Sequence, residues 1–440
     1  MLKKLFWLLP AACFILAAII VATAPVAQNA AARATAEIAA VPDSWRAALP
    51  RDPVAATDAY MARISPAAKV RSDAYFEGAY YLQALSFIVT VAICWLILAS
   101  GVLARLRDKL EQRSKRRWLN SLLIFASFTI LSAVLSSPLD IYQGYYREHL
   151  YGLANQNFSA WFGDFIIAFA INLAASTLLL LAVYAVIRKL PKTWWIWGAA
   201  IGTGFLCLMM LIGPVYIDPL FNTYKPLADE TVKQPILEMA RANGVPADNV
   251  YQFDASKQSN RVSANVSGIF GTAAVRLNDN LLNRSSLPEI KGVMGHELGH
   301  YVLNHVYHFV FSFGAILILG FVFVQRGMSW GLKKWGSRFG IRDQADPVSL
   351  PLFTALFTVY LLAMTPVFNT VIRTTEAEAD IFGLNASQEP DGFAEADLKL
   401  TEYRKSDPGL VEEFLFYDHP SPRKRIYSAM RWKAEHWKTR

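Results

Sequence analysis

Seven apolar runs limit what this chain can fold into, because each approaches the about 20 residues that a helix needs to cross a bilayer. The runs are Leu5–Ala24, Tyr81–Leu103, Trp118–Leu135, Phe165–Val186, Trp195–Ile217, Phe309–Val324 and Leu350–Phe368. With 54% hydrophobic residues among 440, the chain is too apolar for a soluble protein of this size. We therefore predict a mainly α-helical membrane protein with seven transmembrane helices in a lipid bilayer.

The distribution of basic residues predicts how the chain is oriented in the membrane. Lysines and arginines cluster after the second, fourth and sixth runs, in residues 105–117, 188–192 and 326–342. Basic loops stay in the cytoplasm, so residues 218–308 and 370–440 should both lie outside it. The formal net charge of +8 is then a topology signal, and we predict no nucleic-acid partner.

The stretch His296-Glu297-Leu298-Gly299-His300 predicts a metal site. Residues four apart share one face of an α-helix, so both imidazoles can reach one ion. Glu297 lies at the edge of that site, where it can take a proton from a water activated there, which is the zinc metallopeptidase pattern. Ser286 and Glu289 fit a capping box that begins the helix. The alternative is an ordinary helix with two histidines near a membrane surface.

A polar insert at residues 218–308 leads into the sixth run. Its pattern predicts a helix over Asp229–Asn243 that ends at Gly244. Three short strands are predicted at Asn249–Phe253, Ser263–Ser267 and Ala273–Leu277. We therefore expect a small α/β domain, in which an exposed strand edge beside the metal helix could pair with an extended peptide.

A catalytic zinc usually takes three protein ligands and one water. Glu376 and Asp380 lie four apart after the last run, so one could bind the metal while the other accepts a ligand histidine's N–H. An acidic, solvated helix start is the alternative, and it suits Glu378. The last two runs form a hairpin, so residues 296–300 and 376–380 should emerge on the same side of the membrane.

His305 is nearer to the motif but is a weaker candidate. The pattern His-Glu-x-x-His-x-x-Gly-x-x-His would require glycine at position 303 and histidine at position 306, where this chain has Leu303 and Val306. We predict that His305 and His308 are interfacial helix residues.

The predicted segments divide the chain as follows. Residues 1–27 are a membrane anchor or signal, 28–80 a polar Ala-rich loop or small helical insert, 81–217 transmembrane helices two to five with an aromatic loop at 138–164, 218–308 the metallopeptidase domain, 309–369 a transmembrane hairpin, and 370–440 the C-terminal part of the catalytic domain. Ala22-Thr23-Ala24 resembles a signal-peptidase site, but Pro25 disfavours cleavage, so an uncleaved anchor is preferred.

Several separated motifs give the chain a specific resemblance from about residue 80 onward. They are Trp161 and Asp164 in the aromatic loop, Asp218-Pro219-Leu220-Phe221-Asn222, Ser263-Ala264-Asn265 with Gly268, the His296 motif, Arg373 with Glu376 and Asp380, His419-Pro420, and Arg425-Ile426. In this set and order the chain resembles the zinc CAAX prenyl protease type I family of integral-membrane metalloendopeptidases. The resemblance implies seven membrane helices around an internal hydrophilic chamber, one zinc ion per chain and a polypeptide substrate.

The resemblance also implies roles for individual residues. Zinc would be held by His296, His300 and Glu376, and these ligands would be supported from behind by Asp380 and Arg373. Glu297 would act as general base and then as general acid. The substrate backbone would be bound by Asn265, and the oxyanion would be stabilised by His419 and Arg425. Without the resemblance, His419-Pro420 suggests a turn and Arg425 a surface cation.

Some features depart from this family. Ala377 follows the ligand glutamate where an aromatic residue is frequent, and the basic loops place the catalytic side outside the cytoplasm, whereas eukaryotic members face the cytosol. We therefore expect a bacterial-type homologue in the cytoplasmic (inner) membrane that acts on other polypeptides. The alternatives are CAAX-type processing of prenylated C-terminal peptides, hydrolysis of a lipid-linked or cell-wall peptide, and a non-enzymatic seven-helix protein with a structural metal site. The sequence predicts no particular oligomeric state.

Overall fold

The computed structural model describes residues 38, 41–268 and 273–436. Within these ranges, six helical segments are long and apolar enough to cross a membrane. They are Pro66–Ser100, Arg117–Leu150, Phe158–Lys189, Trp194–Leu220, His305–Phe339 and Pro347–Ser387. These segments contain most of predicted runs two to seven, whereas the first predicted run, Leu5–Ala24, lies outside the described residues.

The chain is mainly helical. In the first half, α1 to α8 are Asp43–Ala47, Pro53–Met61, Pro66–Ser100, Val102–Arg113, Arg117–Ile141, Arg147–Leu150, Phe158–Lys189 and Trp194–Ile212. In the second half, α9 to α16 are Glu230–Ala242, Asp279–Arg284, Leu287–Val302, His305–Phe339, Leu350–Ser387, Pro390–Leu400, Leu410–Phe416 and Pro422–His436. Short π-helical turns at Tyr142–Tyr146 and Gly213–Ile217 extend α5 and α8.

Two segments contain more helix than the sequence predicts. Helix α3 begins at Pro66, where Ser65 accepts a hydrogen bond as N-cap, so it starts well before the predicted Tyr81. Residues 138–164, predicted as an aromatic loop, are largely helical, because α5 continues through the π-helical turn and α7 already begins at Phe158. Helices α3, α5 and α7 therefore extend beyond the predicted apolar runs.

A four-stranded sheet lies in the polar insert, with strand order β1-β2-β4-β3. The strands are β1 Tyr224–Pro226, β2 Ala247–Phe253, β3 Ala264–Ser267 and β4 Ala273–Asn278. Strands β2 and β4 are parallel, while β1 and β3 pair antiparallel with them at the two edges. The structure therefore has strands at all three predicted positions, and β3 leaves one edge of the sheet open.

The helix that carries the metal motif packs against this sheet. Helix α9 begins after the N-cap Asp229, and the chain turns away at Gly244, whose φ of +72° favours glycine. The buried core between α9, the sheet and α11 includes Ile236, Val250, Val275, Leu277, Met294 and Leu298. Because Met294 and Leu298 hold one face of α11 on the sheet, the opposite face, with both histidines, is directed toward α13.

The hairpin of α12 and α13 connects the two ends of the molecule. The two helices pack along each other, and residues 340–349 turn at the end opposite to the metal motif. Asn304, at a φ of +58°, separates α11 from α12 and redirects the chain into the hairpin. The return helix α13 carries Glu376 and Asp380 back to α11, as the hairpin argument predicts.

Candidate metal centre

The helix α11 begins where the sequence predicts. The Ser286 side chain accepts from a backbone N–H of the first turn, and Glu289 accepts from the backbone N–H of Ser286, forming the capping box. Glu289 is buried and also accepts from Lys399 at 2.7 Å, which ties the start of α11 to α14. The start of the metal helix is therefore fixed by both local and tertiary contacts.

Close contact between glycines brings the two ligand helices together. A Cβ on Gly295 of α11 would lie 2.8 Å from the carbonyl oxygen of Gly383 in α13, and a Cβ on Gly383 would lie 2.7 Å from the backbone nitrogen of His296. Neither space holds a methyl group, so glycine at both positions lets the backbones touch. This contact puts Glu376, two turns before Gly383, within reach of the histidines of α11.

Three side chains converge in a geometry that suits a metal ion. Nε2 of His296 lies 3.1 Å from Nε2 of His300 and 3.1 Å from Oε2 of Glu376, and Nε2 of His300 lies 3.6 Å from Oε1 of Glu376. Donors about 2.1 Å from a tetrahedral zinc are separated by roughly 3.4 Å, which these distances bracket. Oε2 of Glu376 is buried and accepts no hydrogen bond from the part of the chain that the structure describes. The residues present therefore fit a divalent metal.

A buried charge network supports His296 from behind. Nδ1 of His296 lies 2.7 Å from Oδ1 of Asp380, and Arg425 donates to both oxygens of Asp380 at 2.8 and 2.6 Å. Arg425 also pairs with Asp397 at 2.6 Å. Burial raises the pKa of Asp397 to about 7, although the charge of Arg425 acts in the opposite direction. The Asp380 carboxylate orients the histidine ring so that Nε2 faces His300 and Glu376.

This network corrects the interpretation of Arg425. Its guanidinium is buried and its Nε, Nη1 and Nη2 atoms are all engaged by Asp380 and Asp397, so it is not a surface cation. In the structure Arg425 contacts Asp380, which in turn contacts His296. Sequence reasoning missed Asp397, because a single aspartate in α14 gives no signal of its distant partner.

His305 also differs from its prediction as an interfacial residue. It is 2% exposed, and its Nδ1 lies 2.8 Å from Nδ1 of His300. On the other side of the ring, Nε2 lies 3.3 Å from the exposed carboxylate of Glu378. Its position immediately after the turn at Asn304 lets it reach back to the ligand histidine. Since the turn is not evident from the motif, this contact could not be predicted from the sequence.

The C-terminal segment brings His419 to the open edge of the centre. Its Nε2 lies 3.2 Å from Oε2 of Glu376, and its Nδ1 lies 2.8 Å from Oδ1 of Asp418. Arg373 holds this segment by donating to the backbone carbonyls of Glu413 and Tyr417 at 3.0 and 2.5 Å. Arg373 therefore supports the segment that carries His419 rather than a metal ligand.

Glu297 and Asn265 provide two further polar groups near the centre. Desolvation raises the pKa of the Glu297 carboxyl, while the nearby His296 and His300 act in the opposite direction. Asn265 lies in edge strand β3, opposite Arg276 of β4, and β3 packs against α11. Its Oδ1 is buried and accepts no hydrogen bond from the described residues. A carboxyl group with a raised pKa thus lies on the helix that packs beside an open strand edge.

Comparisons with known proteins identify the family. Residues 226–433 match peptidase family M48, and residues 54–223 match the CAAX prenyl protease N-terminal family with five membrane helices. An uncharacterized metalloprotease, YhfN of Bacillus subtilis, is 30% identical over 349 residues, covering 78% of this chain and 82% of the relative. The chain belongs to peptidase family M48. This M48 peptidase is an integral-membrane metalloendopeptidase that acts on polypeptides. It is therefore an enzyme, and the alternative of a non-enzymatic membrane protein with a structural metal site is excluded.

Two further similarities extend the comparison. CAAX prenyl protease 1 of Saccharomyces cerevisiae is 27% identical over 338 residues, covering 69% of this M48 peptidase and 73% of the yeast protein. The crystal structure of S. mikatae Ste24p has the same fold, with a TM-score of 0.65 at 20% identity, and covers 97% of this chain and 96% of that one. M48 metallopeptidases contain a metal that is usually zinc.

Proposed function

We propose that this M48 peptidase holds one Zn²⁺ per chain on His296, His300 and Glu376. The convergence of these three donors, with a buried oxygen of Glu376 that accepts no hydrogen bond within the described residues, is the observation that carries the proposal. When bound there, zinc would supply Lewis-acid chemistry that activates water and polarises a peptide carbonyl. Imidazole and carboxylate are ligands that zinc accepts, and a three-ligand site leaves a position for reaction.

Proton transfer in this proposal belongs to Glu297. Its carboxylate would take a proton from the attacking water and then donate that proton to the leaving amide nitrogen. The raised pKa of Glu297 suits this exchange, because a carboxyl that holds a proton more readily is a better donor in the second step. The carboxylate stays beside both histidines throughout, since it shares their helix.

His419 would stabilise the negative charge that develops on the carbonyl oxygen. Its ring nitrogen stands at the edge of the centre, 3.2 Å from Glu376, and Asp418 fixes the other nitrogen. Arg425 would act through Asp380 on the orientation of His296, instead of touching the substrate. Asn265 would bind the substrate backbone, supported by its free Oδ1 on the open edge of the sheet.

An internal chamber is supported by how little of the membrane helices is buried. In the most apolar windows of Phe158–Lys189 and Trp194–Leu220, 11% and 0% of the residues are buried inside the protein. A helix that faced lipid on one side and a packed core on the other would bury more of its surface. The sparse packing of these helices leaves room for an internal space that would admit an extended polypeptide to the metal.

The natural substrates are proposed to be non-prenylated polypeptides outside the cytoplasm of a bacterium. The basic loops lie at the end of the membrane helices opposite to the metal centre, which supports an inner-membrane protein whose catalytic side faces outward. Removal of prenylated C-terminal peptides is the second candidate, favoured by relatives named CAAX prenyl protease 1. Prenylated proteins are cytosolic, so the side of the membrane that the metal centre faces distinguishes the two candidate substrates.

The proposed chemistry is tested with purified full-length protein and a fluorogenic, unstructured peptide. Wild type should cleave the peptide, a chelator should stop cleavage, and Zn²⁺ should restore it. Glu297→Gln should lose at least about 1,000-fold in kcat while retaining stoichiometric zinc, because the ligands are intact. Glu435→Gln, on the exposed face of α16, is the matched control and should cleave like wild type. Undiminished cleavage by Glu297→Gln would contradict the proposed proton transfer.

A further inference from the structure

A second site lies at the membrane end farthest from the metal centre. There, α4, the start of α5, the end of α7 and the turn between α12 and α13 enclose a cavity of about 810 Å³. Helix α12 has 35 residues, and at about 1.5 Å per residue its two ends are separated by roughly 50 Å. The cavity is therefore remote from the catalytic residues and needs a separate explanation.

Part of the charge around this cavity is neutralised internally. Arg107 is buried and pairs with Asp346, which also caps the turn before α13. Arg342 donates to both carboxylate oxygens of Glu111, at 2.9 and 2.8 Å. These ion pairs join α4 to the turn between α12 and α13, so the wall of the cavity is held together independently of any ligand.

Three other cations on the cavity wall have no such compensation. Lys115, Arg117 and Arg188 line the cavity, and none forms an ion pair with a carboxylate in the described ranges. Arg117 begins α5 and Arg188 lies in the last turn of α7, and these two like charges line the same cavity. An anion between them would convert this repulsion into two charge-assisted hydrogen bonds.

A buried acceptor gives a second, independent indication of a ligand. Asn120 is 6% exposed and lines the same cavity, and its Nδ2 donates to the carbonyl of Ser114 at 3.0 Å. That contact fixes the orientation of the Asn120 amide, since a flipped amide would place its Oδ1 against the carbonyl oxygen of Ser114. The remaining Oδ1 is buried without a donor among the described residues. A hydroxyl or ammonium hydrogen of a ligand would satisfy it.

The remaining wall favours a lipid as the source of the anion. Ile124 and Ile187 are buried beside the polar groups and line the inner part of the cavity. We propose that this cavity binds the headgroup of an anionic phospholipid, with its phosphate between Arg117 and Arg188 and a headgroup hydroxyl donating to Asn120. Basic pockets between membrane helices on the cytoplasmic side suit such headgroups. The basic loops place the cavity on that side.

The test compares lipid binding by full-length protein in zwitterionic micelles, measured by native mass spectrometry. The probes are short-chain phosphatidylglycerol, phosphatidylcholine of equal chain length, and inorganic phosphate. The double variant Arg117→Gln/Arg188→Gln removes both proposed contacts. Arg113→Gln, an exposed arginine at the end of α4 outside the cavity wall, is the matched control. Peptide cleavage and thermal unfolding without added lipid verify that each variant is folded.

Wild type and Arg113→Gln should bind one phosphatidylglycerol at least about tenfold more tightly than phosphatidylcholine, and the double variant should lose this preference. If inorganic phosphate binds with the same dependence on the two arginines and phosphatidylglycerol is not preferred, the anion site stands but its ligand is a soluble phosphate. The proposal is overturned if the double variant binds every probe like Arg113→Gln. Cleavage of peptide is not expected to change in that variant, so this result is independent of the proposed zinc chemistry.

Discussion

Oδ1 of Asp380 lies 2.7 Å from Nδ1 of His296, and both groups are buried. The carboxylate accepts the ring N–H, so the lone pair of Nε2 is left for a metal. Two N–H groups of Arg425 hold the carboxylate in place. The position of the His296 ring on α11 thus depends on Asp380 of α13 and on Arg425 of α16, which is distant in the chain.

Asp380→Asn should weaken zinc binding by about 10- to 100-fold, because the amide holds the His296 ring less firmly and in an uncertain tautomer. Competition with a chelator of known affinity measures the change. Asp254→Asn removes an exposed carboxylate paired with Lys257 and is the control. Equal zinc affinity in Asp380→Asn and wild type would show that the contact does not organise the site.

Arg425→Ala should destabilise the protein by about 3–5 kcal/mol, because it leaves the buried carboxylates of Asp380 and Asp397 facing each other without a cation. Unfolding by denaturant in mixed micelles measures the loss. Arg431→Ala, which removes a side chain that is 63% exposed, should change stability by less than about 1 kcal/mol.

The same variant separates the two roles considered for Arg425. A positioning role predicts that Asp397→Asn added to Arg425→Ala recovers part of the stability, because one unpaired carboxylate is neutralised. An oxyanion role predicts a large loss of kcat with little loss of stability. The second outcome would show that the guanidinium leaves its ion pairs during the reaction.

Gly383→Ala should reduce both zinc content and stability, since its Cβ would lie 2.7 Å from the backbone of α11 and force the ligand helices apart. The zinc content of purified protein and its unfolding temperature measure the two effects. Gly163→Ala is the control, because a Cβ there meets nothing within 4 Å. If Gly383→Ala binds zinc like Gly163→Ala, the helix contact does not set the ligand distance.

His305→Ala should weaken zinc binding by several-fold, less than Asp380→Asn, since a neutral ring orients His300 more weakly than a carboxylate orients His296. His305→Asn keeps a polar group of similar reach and should recover part of the affinity. The same chelator competition measures both variants, with the exposed His308 replaced by alanine as control. A loss in the His308 variant equal to that in His305→Ala would contradict a specific contact.

Local sequence patterns predicted local structure well, but they could not predict contacts between residues that are far apart in the chain. The capping box at Ser286 and Glu289 begins α11 as predicted, because its hydrogen bonds lie within one turn. The pairing of His296 with Glu376 needed the hairpin argument, which uses only helix length and direction. The engagement of Arg425 with Asp397 depends on how α14 and α16 pack, and no periodicity in the chain encodes that. The extension of α3 before Tyr81 was not predicted, because residues 66–80 are too polar to belong to the apolar run.

Cysteine accessibility decides which compartment supplies the substrates. Lys257→Cys places a thiol on an exposed residue beside the sheet, and Lys333→Cys places one on exposed α12 near the basic turn. Intact bacterial cells are treated with a membrane-impermeant maleimide before or after lysis, and the wild type gives the background from native cysteines. We expect labelling of Lys257→Cys before lysis and of Lys333→Cys only after it, because basic loops remain in the cytoplasm. The reverse pattern would place the metal centre in the cytoplasm, where a prenylated protein could reach it, and would favour CAAX-type processing over the proposed extracytoplasmic substrates.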